Sequence, residues 1–141
     1  MLFRSAAVAG AVVTGGFIYY NTNVLNRYLP TKTRYDRQAA YEKKYRQYLG
    51  LPQPRVTDIY ADVDIHPETR SVSIRGRYAL QNKTKAPIDR LHLYLNPDVT
   101  IRALRPANGA LDMQDEDLGY RIYRLDPPLA PGAQMQVTFD L

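Results

Sequence analysis

Cysteine and tryptophan are both absent from this 141-residue chain. Without cysteine there is no disulfide framework and no thiolate metal site. Histidine is scarce as well: His66 and His92 are the only two, and they cannot by themselves supply three zinc ligands. His66 precedes Pro67 in a turn, and His92 alternates with Leu91 and Leu93, so it points to the polar face of a strand. Both read as ordinary surface histidines. The chain also lacks H-E-x-x-H, C-x-x-C, a facial triad, a glycine-rich phosphate loop and any arguable Ser-His-Asp set. No residue is therefore nominated as catalytic, cofactor-binding or metal-ligating.

Acidic charge is scarce in the front of the chain. Residues 1–55 carry nine basic groups against only Asp36 and Glu42, whereas residues 56–141 carry ten basic and twelve acidic groups. The formal charge of +5 thus belongs to the front, and the back half is close to neutral. No basic face on a folded domain follows from it, which makes nucleic acid the weakest of the partner readings.

What the chain has is order of three kinds. From Leu2 to Tyr20, Arg4 is the only charge. As a helix these residues rise roughly 28 Å, close to the ~30 Å hydrocarbon core of a bilayer. Arg4 suits one interface, Tyr19 and Tyr20 suit the aromatic belt at the other, and Ala7, Ala11 and Gly15 at four-residue spacing permit close helix contact. The expectation is a transmembrane helix over 1–20. A secretory signal peptide and a buried soluble helix are the alternatives. The first lacks a clear A-x-A site, and Phe17 to Tyr20 are large where small residues are wanted; the second is disfavoured by three glycines. Arg27, Lys32, Arg34 and Arg37 follow the segment, so the positive-inside rule sets the C-terminal part on the cytoplasmic side of an inner membrane.

Residues 21–55 form a basic connector. Pro30 breaks a continuing helix, Thr31 or Thr33 can cap a new one, and Gly50 and Pro52 stop it, which predicts an amphipathic helix over about 33–49. Tyr41, Tyr45, Tyr48 and Leu49 share its apolar face, and Glu42 precedes Arg46 at the favourable four-residue spacing. Those tyrosines either pack on the following domain or lie with the basic side chains on anionic headgroups.

From Val56 the periodicity changes to alternation. Ile59, Ala61, Val63 and Ile65 line one face of a strand opposite Asp58, Tyr60, Asp62 and Asp64. Further strands follow at Val72–Leu80, Leu91–Leu95, Val99–Ala103, Tyr120–Leu125 and from Met135 to Leu141. D-P-P-L-A-P-G (126–132) reads as a turn-rich connector. Asp112, Asp115, Glu116 and Asp117 do not match calcium-loop spacing and read as a solvated acidic loop. Asn82-Lys83-Thr84 fits an N-glycosylation sequon and, preferably, a plain hairpin turn. Six strands at this spacing predict a mainly β fold, an antiparallel β-sandwich or saddle-shaped sheet preceded by the membrane helix and the short amphipathic helix.

The run I-Y-A-D-V-D-I-H-P-E-T-R-S-V-S-I-R-G-R-Y-A-L-Q-N, with the later I-D-R-L-H-L-Y-L and L-A-P-G-A-Q-M-Q-V-T-F, is similar to the N-terminal β domain of aminopeptidase N-type (gluzincin) zinc metallopeptidases. The similarity spans about residues 56–141. The front, from the apolar segment through Y-N-T-N-V-L-N-R-Y to P-Q-P-R, resembles bacterial proteins that fuse an ABC transporter permease to such a peptidase.

The resemblance implies a non-catalytic β domain that packs on a zinc peptidase domain. It places the zinc, the peptide substrate, the G-x-M-E-N motif, the H-E-x-x-H helix and the catalytic tyrosine in sequence beyond Leu141. None of those motifs occurs here, so no family functional residue transfers to this chain. The strand running into Leu141 is expected to be a cut through that domain, leaving a fragment. The alternative expectation is a membrane-tethered Ig-like module that binds a protein or glycan.

Overall fold

The computed structural model describes the backbone of every residue except Met1, Arg27 and Leu29, and every side chain except those three and residues 2–4. The chain divides into two compact units, Met1–Lys44 and Tyr45–Leu141.

In the first unit the apolar segment forms helix α1, Leu2–Tyr19. From Ser5 onward all its side chains are exposed, Val12 and Phe17 among them. Among the described residues no helix is long and apolar enough to cross a membrane. Two side chains in the membrane expectation, Arg4 and Arg27, lie outside the described set. α1 ends where its sequence turns polar, widening into a π-helical segment, Tyr20–Leu25. There Asn21 Nδ2 donates to the Phe17 carbonyl at 2.9 Å, and Thr22 Oγ1 to that of Ile18 at 2.8 Å. Side-chain donors thus occupy carbonyls near the helix end, where backbone partners run out.

Helix α2, Thr31–Tyr45, starts directly after Pro30 and gives way to a 3-10 turn, Arg46–Tyr48, rather than continuing to 49. Gly50 follows at φ +96°, a value that suits a residue without Cβ. The tighter turn shifts the helical phase, and this corrects the predicted apolar face: Tyr45 is buried and Tyr48 half-buried, but Leu49 is 79 % exposed. Glu42 takes a hydrogen bond from Gln38 Nε2 at 2.9 Å.

The second unit is mainly β. Its strands are β1 (Arg55–His66), β2 (Ser71–Gln81), β3 (Ile88–Tyr94), β4 (Ala103–Pro106), β5 (Gly109–Asp115), β6 (Tyr120–Leu129) and β7 (Gln134–Asp140). They form two antiparallel sheets, one in the order β1-β2-β7-β4 and the other β3-β6-β5. The chain crosses between sheets at Ala107–Asn108, where the Ala107 N–H donates to Gln136 O and the Asp126 N–H to Asn108 O. The core comes from both sheets: Leu80, Met135 and Val137 from the first, and Ile88, Leu91, Tyr123, Leu125 and Leu129 from the second. Tyr123 also ties them with a hydroxyl bond to the Leu104 carbonyl at 3.3 Å.

Three expectations along this stretch are corrected. The strand predicted at 99–103 is turn and bend up to Arg102, and pairing begins at Ala103, where the chain meets Asp140 of β7. The supposed acidic loop is half strand: β5 contains Asp112 and Asp115, and only Glu116 and Asp117 lie in the turn. Its alternation is hidden by a register shift between Leu111 and Met113. The supposed connector 126–132 is largely β6, which runs on to Leu129 through Pro127 and Pro128. Those prolines fall where pairing with β3 jumps from Arg124 to Leu129 and where β5 has no partner beyond Leu125. No ladder donor is required of them there.

Candidate functional site

On the side of the three-stranded sheet turned away from the core, polar and aromatic side chains collect around His92. Period-two geometry puts His92 beside Ile122 and Met113 on that side, while its neighbour Leu91 enters the core. Tyr120, two residues from Ile122, shares the face and hydrogen-bonds His92 Nδ1 through its hydroxyl at 3.0 Å. The rings of Tyr45 and Tyr48 lie over this patch. Tyr45 stacks on Tyr120 with centroids 3.9 Å apart, and Tyr48 sits 4.8 Å from the imidazole. Gln53 fixes the backbone beneath: its Oε1 accepts the His92 N–H at 2.9 Å and its Nε2 donates to the Arg90 carbonyl at 3.1 Å.

The expectation of a surface histidine is therefore corrected. His92 is half-buried, its Nε2 is enclosed without a partner, and burial, with the nearby Arg90 guanidinium adding to it, lowers its pKa below the usual imidazole value, while Asp89 opposes. Alternation correctly put His92 on the non-core side, but it carries no information about what covers that side. Tyr45 has the opposite electrostatic problem. Its hydroxyl donates to Asp115 Oδ2 at 2.6 Å, and burial together with that carboxylate raises its pKa. Both groups are held neutral near neutral pH. The cluster has no nucleophile, and its imidazole is packed under rings, so it acts as a clamp that fixes residues 45–53 on the sheet.

The remaining candidates separate cleanly. His66, at the end of β1, approaches Asp64 Oδ2 at 3.3 Å, both side chains well exposed. Among the described residues no three His, Asp or Glu side chains are grouped so as to hold a metal ion. The zinc implied by the resemblance thus has no fitting donor set in these residues. A groove of about 590 Å³ beside β4 and β5 is lined by Leu104, Arg105, Leu111 and Tyr123 among others, with no carboxylate or imidazole. Asn82 is 0 % exposed. Its Nδ2 donates to the carbonyls of Ala86 and Leu129, both at 2.8 Å, and its Oδ1 accepts from the N–H and the hydroxyl of Thr84. The sequon asparagine is a structural node of the β2–β3 connection, which corrects the hairpin expectation: β2 and β3 lie in different sheets and do not pair.

β1 carries an uncovered apolar surface. The register confirms that Ile59, Ala61, Val63 and Ile65 share a face with Tyr78, Gly76, Ile74 and Val72 of β2. The same face continues into the buried residues Val137 and Phe139 of β7. Over β7 it is covered. Over β1 it is not: all twelve residues of β1 are exposed, with Ile59 at 58 % and Ile65 at 65 %. The pattern for one apolar face was legible; the reach of the opposing sheet was not.

Comparison with known proteins found no family model, no curated protein and no solved structure that matches the chain.

Proposed function

We propose that residues 56–141 are the non-catalytic N-terminal β domain of a membrane-anchored zinc aminopeptidase, and that this domain packs on a metallopeptidase domain through the uncovered face of the β1–β2 hairpin. The observation that carries the reading is that face. Ile59, Val63, Ile65 and Val72 form an apolar surface on a regular hairpin, each at least half exposed. A contiguous apolar surface of this kind marks an interaction site. The order of sequence elements similar to the aminopeptidase N-type β domain names the partner. The peptidase domain would supply zinc, the reacting groups and the peptide site, while this chain's share is to hold one wall in place. The membrane side of the proposal rests on the apolar run of α1, whose side chains from Ser5 to Tyr19 are exposed, and on the basic residues that follow it. In this proposal the apolar run is buried in lipid, and the positive-inside bias of the residues after it favours the cytoplasmic face of an inner membrane for the β domain.

The test is recovery of the native protein from membranes of its source cells with an antibody against the β domain, followed by mass spectrometry, zinc analysis and an aminopeptidase assay. Stoichiometric zinc and peptidase activity travelling with these residues, on one polypeptide or in a stable complex, support the reading. A membrane-associated species with neither overturns it and leaves the Ig-like interaction module. Recovery only from the soluble fraction overturns the anchoring.

A further inference from the structure

The free edge of β1 offers a second kind of site, which does not rest on the peptidase reading. β1 ends its sheet, so among the described residues its outward backbone N–H and C=O groups have no strand to pair with. The other edge of that sheet, β4, is four residues long and closes with Pro106, two common protections against unwanted pairing. β1 has neither. It is twelve residues long, contains no lysine or proline, and its one register shift falls at its start, between Val56 and Asp58. From Asp58 to His66 it offers an unbroken template about 30 Å long.

The side chains along this template specify what fits. One side presents Ile59, Val63 and Ile65; the other presents Asp58, Asp62 and Asp64 around Tyr60. The basic groups of β2 lie beside that acidic row without forming an ion pair with it. Arg75 stands directly across from Asp62, yet its Nε reaches Asp140 on β7 at 3.4 Å. Arg77, across from Tyr60, places its guanidinium over the Tyr60 ring at 5.1 Å. Asp64 meets His66, whereas among the described residues Asp58 and Asp62 make no ion pair.

This row argues against a second copy of the chain as the occupant. Two-fold pairing centred on Tyr60 sets Asp58 against Asp62 twice, and pairing centred on Asp62 sets that carboxylate against its own copy. Like charges directly opposite across strands are destabilising. From this charge pattern we infer that the β1 edge is a docking site for an extended segment of a partner protein in which Lys or Arg alternates with β-branched apolar residues. Such a segment adds a strand to the sheet through main-chain hydrogen bonds, its basic side chains over Asp58 and Asp62 and its apolar ones beside Ile59 and Val63.

The probe is a fluorescent eight-residue peptide alternating lysine and valine, titrated at low salt against the full chain in mild detergent micelles, with binding read by anisotropy. Binding is expected, with matching protection of β1 amides from hydrogen exchange. The same peptide with glutamate for lysine should fail, as should a version N-methylated at alternate positions. The exposed double variant Asp58→Lys, Asp62→Lys, with its fold checked by circular dichroism, should bind the lysine peptide roughly tenfold more weakly, because two cross-strand charge pairs change sign. Absence of binding, equal binding of the glutamate or N-methylated peptide, or unchanged affinity of the double variant would each overturn the proposal. Peptide-independent dimerisation through β1 would overturn it in favour of a second copy.

Discussion

Tyr45 donates its hydroxyl to the carboxylate of Asp115 at 2.6 Å across seventy residues of sequence, while its ring lies flat on Tyr120. One side chain thus supplies both a charge-assisted hydrogen bond and stacked apolar area to the clamp. Tyr45→Phe keeps the ring and should cost about 1.5–2 kcal/mol; Tyr45→Ala loses both and should cost about 3–5 kcal/mol. Urea unfolding followed by circular dichroism separates the two.

The same tyrosine makes the domain sensitive to alkali. Its folded pKa is raised above the ordinary phenolic value near 10, so the folded state keeps a proton that the unfolded state releases. The stabilisation is complete below about pH 10 and declines as pH rises beyond it. Tyr45→Phe should flatten that decline. An alkaline slope unchanged in the variant would contradict the assignment.

His92 acts at the other end of the scale. Its folded pKa is lowered, so the unfolded chain binds the proton first, and stability is complete above about pH 6.5 and lost as pH falls below it. The groups that face it are Tyr120, Tyr48 and the Arg90 and Asp89 charges. His92→Gln should reduce the dependence of stability on pH between 6.5 and 4, measured as the shift in urea midpoint.

Replacing Asn82 by alanine takes a donor from the Leu129 carbonyl and an acceptor from the Thr84 N–H, while the exposed Ala86 carbonyl keeps the Thr84 hydroxyl. A cost of about 3 kcal/mol or more is expected. Because the side chain is enclosed, passage of the folded protein through a glycosylating compartment should add no glycan at this position, a point that intact mass settles.

β1 and β7 look alike in sequence and should respond differently to mutation. Val63→Ser changes a residue already half exposed and should shift stability by less than about 0.5 kcal/mol. Val137→Ser changes one that is 1 % exposed and should cost about 2–4 kcal/mol. Equal effects would show that the β1 face is covered in the isolated chain.

That contrast also marks how far the sequence could be read. Alternation located β1, β2, β3, β6 and β7 and assigned the faces of all but β6, because period two is a property of the backbone alone. It missed β5, where the Leu111/Met113 shift breaks the period and acidic residues imitate a loop. It cut β6 short at two prolines whose missing donors fall opposite a gap in the ladder. The clamp was half visible. Tyr45 and Tyr48 stood out as a repeated aromatic spacing, whereas His92, Asp115 and Gln53 enter it through contacts between distant segments, which no local pattern encodes.

The position of β7 bears on the order in which the domain can assemble. β7 lies between β2 and β4, and these three strands share no other pairing. During synthesis the β1–β2 hairpin forms early, but it has nothing to join until residues 134–140 have cleared the ribosome. Every strand of the second sheet emerges before then. Until then β2 presents an open edge, and closure of this part of the core waits for β7.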